Sequence, residues 1–161
     1  MKEKGAKIHG NLSASHEFSG YESVMALEAA CFSDPWTWGI IKDLPDSPWD
    51  ETWLLEDERG TLLGYLTCRF LAGEGELMRI AVFPEFRGQG YSRELMDRME
   101  KSAAEKAVNA LSLEVRAGNE VALGLYQSYG FREEARRKNY YQQPVEDAVI
   151  MWLRNIPVVS T

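Results

Sequence analysis

One stretch near the middle of the chain, Met78–Leu95, constrains the fold more than any other. The β-branched residues Ile80 and Val82 predict the end of a strand, and Pro84 has no N–H to donate to a ladder. Gly88 and Gly90 follow, and glycine permits the positive φ angles of a tight loop. The stretch therefore predicts a strand, a sharp stop and a glycine loop in direct succession.

A helix is predicted over residues 92–107, because apolar residues recur there at steps of three and four. The first N–H groups of a helix lack partners within it, and the helix dipole favours negative charge at that end. The loop is therefore a candidate anion site. The sequence contains no Gly-x-x-x-x-Gly-Lys-Ser/Thr run, and the run from Gly88 to Arg93 fails Gly-x-Gly-x-x-Gly at its last position. On the loop alone, an anion site and a plain turn before a surface helix are equally good interpretations.

Composition limits the classes of function. A chain of 161 residues suits a single domain over 1–161, with a weakly patterned segment at 1–19 and a short tail at 155–161. The net charge of −7 argues against non-specific binding to nucleic acid. No apolar run reaches the roughly 18 residues of a membrane span, and no apolar segment follows the N-terminal lysines, so we expect a cytoplasmic location. The two cysteines and two histidines fit neither a metal motif nor a nucleophile–histidine pair, so the chemistry must depend on carboxylates, tyrosines, backbone groups and a co-substrate.

The order of the remaining elements predicts an α/β fold with a mixed sheet. Two parallel crossovers, one through each of the last two helices, account for the parallel part of the sheet. Asn119 is predicted to cap the last helix and Gly130 to end it. The predicted strands are 7–12, 52–56, 62–70, 76–82, 111–115, 131–137 and 148–154, the other helices are 21–32 and 38–44, and a long loop is predicted at 140–147.

This order resembles the GNAT superfamily of N-acetyltransferases over nearly the whole chain, which implies the acyl-CoA N-acyltransferase fold with helices on both faces of the sheet. Arg87-x-x-Gly90-x-Ser92 is similar to that family's pyrophosphate loop, Gln/Arg-x-x-Gly-x-Gly/Ala, and Ser92 departs from it at the last position. Several further runs resemble one branch, the RimI-like ribosomal-protein alanine N-acetyltransferases. These runs are Cys31–Trp36, Leu113–Arg116, Asn119, Ala122–Tyr126, Tyr129–Phe131, Arg136–Tyr141 and Glu146–Ala148.

The resemblance implies acetyl transfer from acetyl-CoA to the α-amine of an N-terminal alanine, usually on a basic small-subunit ribosomal protein. It implies Glu114 as general base and Tyr126 as general acid. No metal, membrane or direct nucleic-acid contact is expected. The coenzyme-binding residues that it implies are Ile80, Ala81, Val82, Arg87, Gly88, Gln89, Gly90, Tyr91, Ser92, Arg93 and Asn119. A groove for the N-terminal peptide would be lined by Trp36, Tyr140 and Tyr141, for which core packing is an equally good interpretation.

The chemistry is consistent with these residue types. An α-amine has a pKa of about 7.7–8.0, so a carboxylate that takes its proton is useful near neutral pH. A phenol, with a pKa of about 10, donates well to a departing thiolate. The alternation of the strand predicts that Glu114 faces away from Leu111 and Leu113. Without the resemblance, Glu114 is a solvated strand residue and Tyr126 is a packing residue on an apolar helical face.

Two other functions stay open. The same fold can serve a lysine side chain or a small-molecule amine, although lysine, with a pKa of about 10.4, demands a stronger base or a desolvated slot. A non-catalytic acyl-CoA sensor is a different class, and it would not need both Glu114 and Tyr126. The sequence leaves the oligomeric state and the identity of the target open.

Overall fold

The computed structural model describes residues 6–10 and 18–156. Within these ranges the chain contains both strands and helices, and three of the strands follow one another directly. The strands are β1 (Lys7–Gly10), β2 (Asp50–Glu56), β3 (Leu62–Leu71), β4 (Glu74–Val82), β5 (Ala110–Arg116), β6 (Arg132–Tyr141) and β7 (Glu146–Arg154). The α-helices are α1 (Phe18–Cys31), α2 (Trp38–Ile41), α3 (Tyr91–Glu105) and α4 (Glu120–Ser128), and short 3₁₀ turns lie at Leu44–Asp46 and Pro84–Phe86.

The strands form a sheet in the order β1-β2-β3-β4-β5-β7-β6. β4 and β5 are parallel, whereas β7 runs antiparallel to both β5 and β6. The predicted mixed α/β architecture is therefore confirmed. The crossover through α3 joins neighbouring parallel strands, but the crossover through α4 joins two parallel strands that have β7 between them.

The C-terminal hairpin differs from the prediction. The long loop expected at 140–147 is wrong, because β6 continues to Tyr141 and β7 begins at Glu146. The burial pattern explains the error: residues 132–140 are all exposed, so β6 shows no alternation of apolar and polar side chains. Asn139, with φ 53°, and a register shift between Arg137 and Tyr141 further interrupt the ladder. At the other end of the chain, Asn11 and Leu12 of the predicted first strand lie outside the described residues.

One compact unit comprises residues 1–69 and 79–99. In its described part, α1 places Val24 and Leu27 in a buried cluster with Leu54 and Tyr65 of the neighbouring strands. Val24 and Leu27 are three positions apart, so they lie on one face of α1, and this face packs against the strands. Partly buried side chains that pack on the cluster include Cys31, Phe32, Trp36 and Phe83.

The other compact unit comprises residues 70–78 and 100–161. In β5, Leu111, Leu113 and Val115 are buried, while Glu114 and Arg116 are only partly buried. This alternation follows the period of two that a strand imposes, and it confirms the predicted orientation of Glu114 away from the leucines. The expectation of a single domain over residues 1–161 stays a prediction.

Neither a membrane span nor a metal cluster occurs in the described ranges. None of the helices found there has the length and apolar character needed to cross a bilayer. Likewise, among residues 6–10 and 18–156, histidine, cysteine, aspartate and glutamate side chains form no group of three or more that could hold a metal ion.

Candidate functional site

The glycine loop adopts the predicted backbone conformation. Gly88 has φ +80° and Gly90 has φ +85°, and α3 begins directly afterwards at Tyr91. A Cβ added at Gly88 would meet nothing within 4 Å, so the left-handed backbone rather than lack of space calls for glycine at this position. The first N–H groups of α3 therefore follow an open, tightly turned loop, which is an arrangement that suits a phosphate.

The side chains of this loop have separate roles. Tyr91 is 2% exposed, and its hydroxyl donates to Gln89 Oε1 at 3.4 Å, so only the backbone of Tyr91 can contact a ligand. Arg87 Nε donates to the carbonyl of Val82 at 3.1 Å, and its Nη2 lies 3.4 Å from Cys31 Sγ. The arginine thus ties the start of the loop to the end of β4.

The residues at the end of β4 lie past its parallel pairing. The register with β5 runs from Glu74 and Ala110 to Leu77 and Leu113. Ile80–Val82 come after the last of these pairs, with Ala81 and Val82 buried and Ile80 partly buried. This is the strand segment that the resemblance predicts to bind the coenzyme.

Glu114 is accessible enough to exchange a proton with a substrate. Its side chain is 27% exposed, and its Oε1 lies 3.6 Å from Nη2 of Arg137, whose side chain is 55% exposed. A contact of this length between exposed groups is weak. The carboxylate is therefore held on one face of β5 without being enclosed.

Tyr126 is a buried phenol on α4. The residue is 7% exposed, and its ring meets that of Phe131 edge to face with centroids 6.0 Å apart. Burial raises the pKa of the Tyr126 hydroxyl above its ordinary value, and the nearby Tyr141 raises it further. Tyr126 therefore stays protonated at neutral pH. Its burial against Phe131 agrees with the packing role expected from the sequence alone. Its protonated state is also the one that a general acid needs.

Asn119 caps α4, as predicted. Its Oδ1 accepts a hydrogen bond from the Ala122 N–H at 3.2 Å. The capping bond uses the carbonyl oxygen of the side chain, so the amide nitrogen Nδ2 is the donor that it leaves for a ligand.

The two predicted groove tyrosines of β6 meet edge to face, and each has an arginine over its ring. The rings of Tyr140 and Tyr141 are 5.1 Å apart at 84°, and the Arg116 guanidinium lies 4.4 Å above the Tyr141 ring. Arg116 also donates to the carbonyls of Gln142 and Pro144, each at 3.1 Å. Tyr140 is 48% exposed, which argues against the core-packing interpretation for this residue. Arg116 thereby fixes the turn that carries Tyr141.

The sequence analysis missed a buried carboxylate, Glu28, on α1. The side chain is fully buried and accepts hydrogen bonds from the Tyr65 hydroxyl, from Arg79 Nε at 3.0 Å and from Arg79 Nη2 at 2.9 Å. The backbone N–H of Trp36 donates to its Oε2 at 3.0 Å. A signal was present in the sequence, since Glu28 occupies the same helical face as Val24 and Leu27, where an apolar residue is expected.

Arg79 in turn contacts the segment that follows α1. Its guanidinium carbon lies 3.7 Å from the Phe32 ring centroid and 5.0 Å from that of Trp36. Its Nη2 donates to the carbonyl of Asp34 at 3.0 Å. Trp36, predicted to contact the peptide, is therefore partly buried against a charged network as well as against the apolar cluster.

Comparisons with known proteins match most of the chain. The sequence model of the acetyltransferase (GNAT) family matches residues 21–131. A protein of Bacillus subtilis (strain 168), provisionally named a [ribosomal protein bS18]-alanine N-acetyltransferase, is 35% identical over 133 residues, which are 82% of this chain and 87% of the relative. The [ribosomal protein bS18]-alanine N-acetyltransferase of Haemophilus ducreyi is 32% identical over 136 residues, 83% of this chain and 92% of the relative. The crystal structure of the ribosomal-protein-S18-alanine N-acetyltransferase from Escherichia coli superposes with a TM-score of 0.83 at 27% identity, covering 96% of both chains.

Proposed function

Because the chain belongs to the acetyltransferase (GNAT) family and is an acetyl-CoA-dependent N-acetyltransferase, we propose that it acetylates the α-amine of an N-terminal alanine on a small-subunit ribosomal protein. The observation that carries this proposal is the similarity, over more than four fifths of this chain, to proteins named for alanine acetylation of ribosomal protein bS18. The net charge of −7 is compatible with a basic substrate of this class.

Glu114 is the proposed general base. The neutral α-amine attacks the thioester carbonyl carbon, so that an N–C bond forms and the amine must lose a proton. The partial exposure of Glu114, and the length of its contact with Arg137, support its availability for that proton. A backbone N–H at the end of β4, near Val82, is the proposed donor to the oxyanion.

Tyr126 is the proposed general acid. Breaking the C–S bond releases a thiolate, which takes a proton from a nearby donor to leave as the thiol. Because its pKa is raised, Tyr126 is protonated when the C–S bond breaks, and its hydroxyl can donate a hydrogen bond to the departing sulfur. In this scheme the acetyl group passes directly from sulfur to nitrogen, without an acyl-enzyme.

The coenzyme is proposed to bind along the end of β4 and at the glycine loop. Ile80–Val82 lie past the parallel pairing of β4, which supports contact with the pantetheine arm. The backbone of Gly88–Arg93 supplies N–H groups for the pyrophosphate, and Nδ2 of Asn119 supplies a further donor. Ser92 is small enough at the start of α3 to retain this role.

The proposed peptide groove contains Trp36, Tyr140 and Tyr141. The exposure of Tyr140 and the stacking of Tyr141 on Arg116 support a fixed aromatic surface. Aromatic side chains of this kind recognise a short peptide at a low cost in conformational entropy.

The deciding experiment incubates the protein with acetyl-CoA and two basic peptides that differ only in whether the N-terminal alanine is free or blocked. Both peptides carry internal lysines, and mass spectrometry locates the acetyl group. Acetylation at the free α-amine alone is the expected result. Acetyl-lysine on both peptides would retain the fold and the coenzyme but assign a lysine acceptor instead. Coenzyme binding without transfer to either peptide would favour a small-molecule amine or a sensor.

A further inference from the structure

The hydrogen-bonding capacity of Glu28 is used within the protein. Both carboxylate oxygens accept bonds: Oε1 from the Tyr65 hydroxyl and Arg79 Nε, and Oε2 from Arg79 Nη2 and the Trp36 N–H. A glutamate is almost never fully buried unless it is paired. Burial, with Glu28 alongside, raises the pKa of the Tyr65 hydroxyl, so Tyr65 stays a donor.

Four contacts connect this charged pair to the segment Phe32–Trp36. Glu28 holds the Trp36 N–H, Arg79 holds the Asp34 carbonyl, and the guanidinium lies over the rings of both Phe32 and Trp36. The side chain of Arg79 is only 15% exposed and that of Glu28 is fully buried, so their ion pair is shielded from water and from salt, whereas the bond to the carbonyl of Asp34 lies at an exposed residue.

Residues 32–36 belong to no helix or strand, so the segment is held by these contacts together with the packing of Phe32 and Trp36 on the apolar cluster. The Phe32 N–H donates to the Glu28 carbonyl at 3.0 Å, which is a last helical bond of α1, and α2 begins only at Trp38. Pro35 has no N–H to donate. Side-chain bonds from Glu28 and Arg79 therefore take the place that a backbone ladder would have.

A buried ion pair is a poor way to gain stability, because its desolvation cost offsets much of the attraction. A fully satisfied polar network does, however, fix one geometry among several that apolar packing would allow. The guanidinium of Arg79 donates hydrogen bonds both to the Glu28 carboxylate and to the backbone carbonyl of Asp34. Lysine cannot reproduce this planar arrangement of donors.

We propose that Glu28 and Arg79 are positioning residues for peptide recognition, which hold Phe32–Trp36 so that Trp36 is presented to the N-terminal peptide. This inference rests on the proposed function, since it assigns the segment to the peptide side of the reaction. It predicts that weakening the pair changes the binding of the peptide and leaves the binding of acetyl-CoA unchanged.

The test is the substitution Arg79→Lys, which keeps the charge and removes the planar arrangement of donors. Its matched control is Arg69→Lys, because Arg69 makes a comparable two-point contact with Asp50, at 2.7 and 3.0 Å, in the same compact unit. Steady-state kinetics on the free-alanine peptide should show the KM for peptide rising about tenfold in Arg79→Lys, the equivalent of losing one charge-assisted hydrogen bond. The KM for acetyl-CoA should not change, and Arg69→Lys should leave both values unchanged. Hydrogen exchange should be faster over residues 32–36 in Arg79→Lys alone.

An unchanged peptide KM in folded Arg79→Lys would overturn the inference, and so would an equal rise for both substrates. If Arg79→Lys does not fold, Phe32→Leu removes one stacked ring and keeps the ion pair; a peptide KM equal to that of wild type in this variant would overturn the inference as well. A wild-type protein that leaves the peptide unmodified would refute the proposed function before any variant is compared. The exchange rates, which need no substrate, would then decide whether Arg79 holds the segment.

Discussion

Two glutamate–arginine pairs in this protein have opposite environments. Glu28 is fully buried and meets Arg79 at two nitrogens, whereas Glu114 is 27% exposed and lies 3.6 Å from one nitrogen of Arg137. A carboxylate whose oxygens are both occupied by fixed donors has little capacity to take a proton from a substrate. A partly exposed carboxylate whose contact with an arginine is long retains that capacity. This difference in burial is the reason for proposing Glu114, rather than Glu28, as the general base.

The same difference has consequences for stability. Removing one partner of a buried pair leaves an uncompensated charge and costs about 3–5 kcal/mol. An exposed pair contributes about 0–1 kcal/mol, because water and salt screen it. Substitutions in the Glu28–Arg79 pair should therefore change the free energy of unfolding, whereas substitutions of Glu114 should change turnover.

The largest effect is expected for Glu114→Gln, which keeps the size of the side chain and removes the proton acceptor. Turnover on the free-alanine peptide should fall by about 10²–10⁴-fold, the usual contribution of a positioned general base. Coenzyme affinity and thermal stability should stay near those of the wild type, because the contact of Glu114 with Arg137 is long and Arg137 is exposed. A Gln variant that binds acetyl-CoA normally and turns over as fast as the wild type would show that the base lies elsewhere.

Glu28→Ala should have the opposite profile. It leaves Arg79 and the Tyr65 hydroxyl without their acceptor in a buried site, so the free energy of unfolding should fall by about 3–5 kcal/mol. Glu114→Ala is the matched control, with an expected change within about 0.5 kcal/mol. Urea titrations of the two variants measure both values. Equal midpoints would mean that burial does not distinguish the pairs.

The fold could be predicted because its elements have regular patterns. In β5 the alternation of leucine and valine with polar residues predicted both the strand and the face that carries Glu114. Gly130 and Asn119 predicted the two ends of α4 through backbone rules that hold in any fold. The resemblance to the GNAT family was confirmed on the same elements.

Sequence patterns did not predict the features that depend on contacts between distant parts of the chain. β6 is exposed over residues 132–140, so no period marked its length, and the predicted loop was too long. Glu28 was overlooked because its burial depends on Arg79, 51 positions further along the chain. The helical face of Glu28 was visible in the sequence, but no pattern within one helix or strand identifies a partner so far along the chain. For the same reason the roles of Glu114, Tyr126 and the coenzyme-binding residues stay predictions, since they depend on ligands rather than on chain pattern.

Tyr126→Phe tests whether a buried phenol takes part in the chemistry. The ring keeps its packing on Phe131, so stability should change by no more than about 1 kcal/mol, the usual worth of one hydroxyl. Turnover should fall by about 10²-fold if the hydroxyl donates to the leaving thiolate. In the wild type, burial raises the pKa of Tyr126, so ionisation of this group should not lower the rate as pH rises towards about 10. A Phe variant with wild-type turnover would assign Tyr126 to packing alone.

The smallest effect is expected for Arg137→Gln. Arg79→Gln is the same substitution in the buried pair, so the stability losses of the two variants can be compared directly. Arg137 is 55% exposed, and its contact with Glu114 is long, so the free energy of unfolding should change by less than about 1 kcal/mol. Arg79→Gln should cost about 3–5 kcal/mol, because it leaves the Glu28 carboxylate buried without its cation. Added salt should reduce whatever difference Arg137→Gln makes and leave the effect of Arg79→Gln nearly unchanged, since screening acts on exposed charges. Equal losses in the two variants would show that Arg137 holds β6 and β5 together more firmly than its exposure implies, and that Glu114 is less free to exchange a proton than we propose.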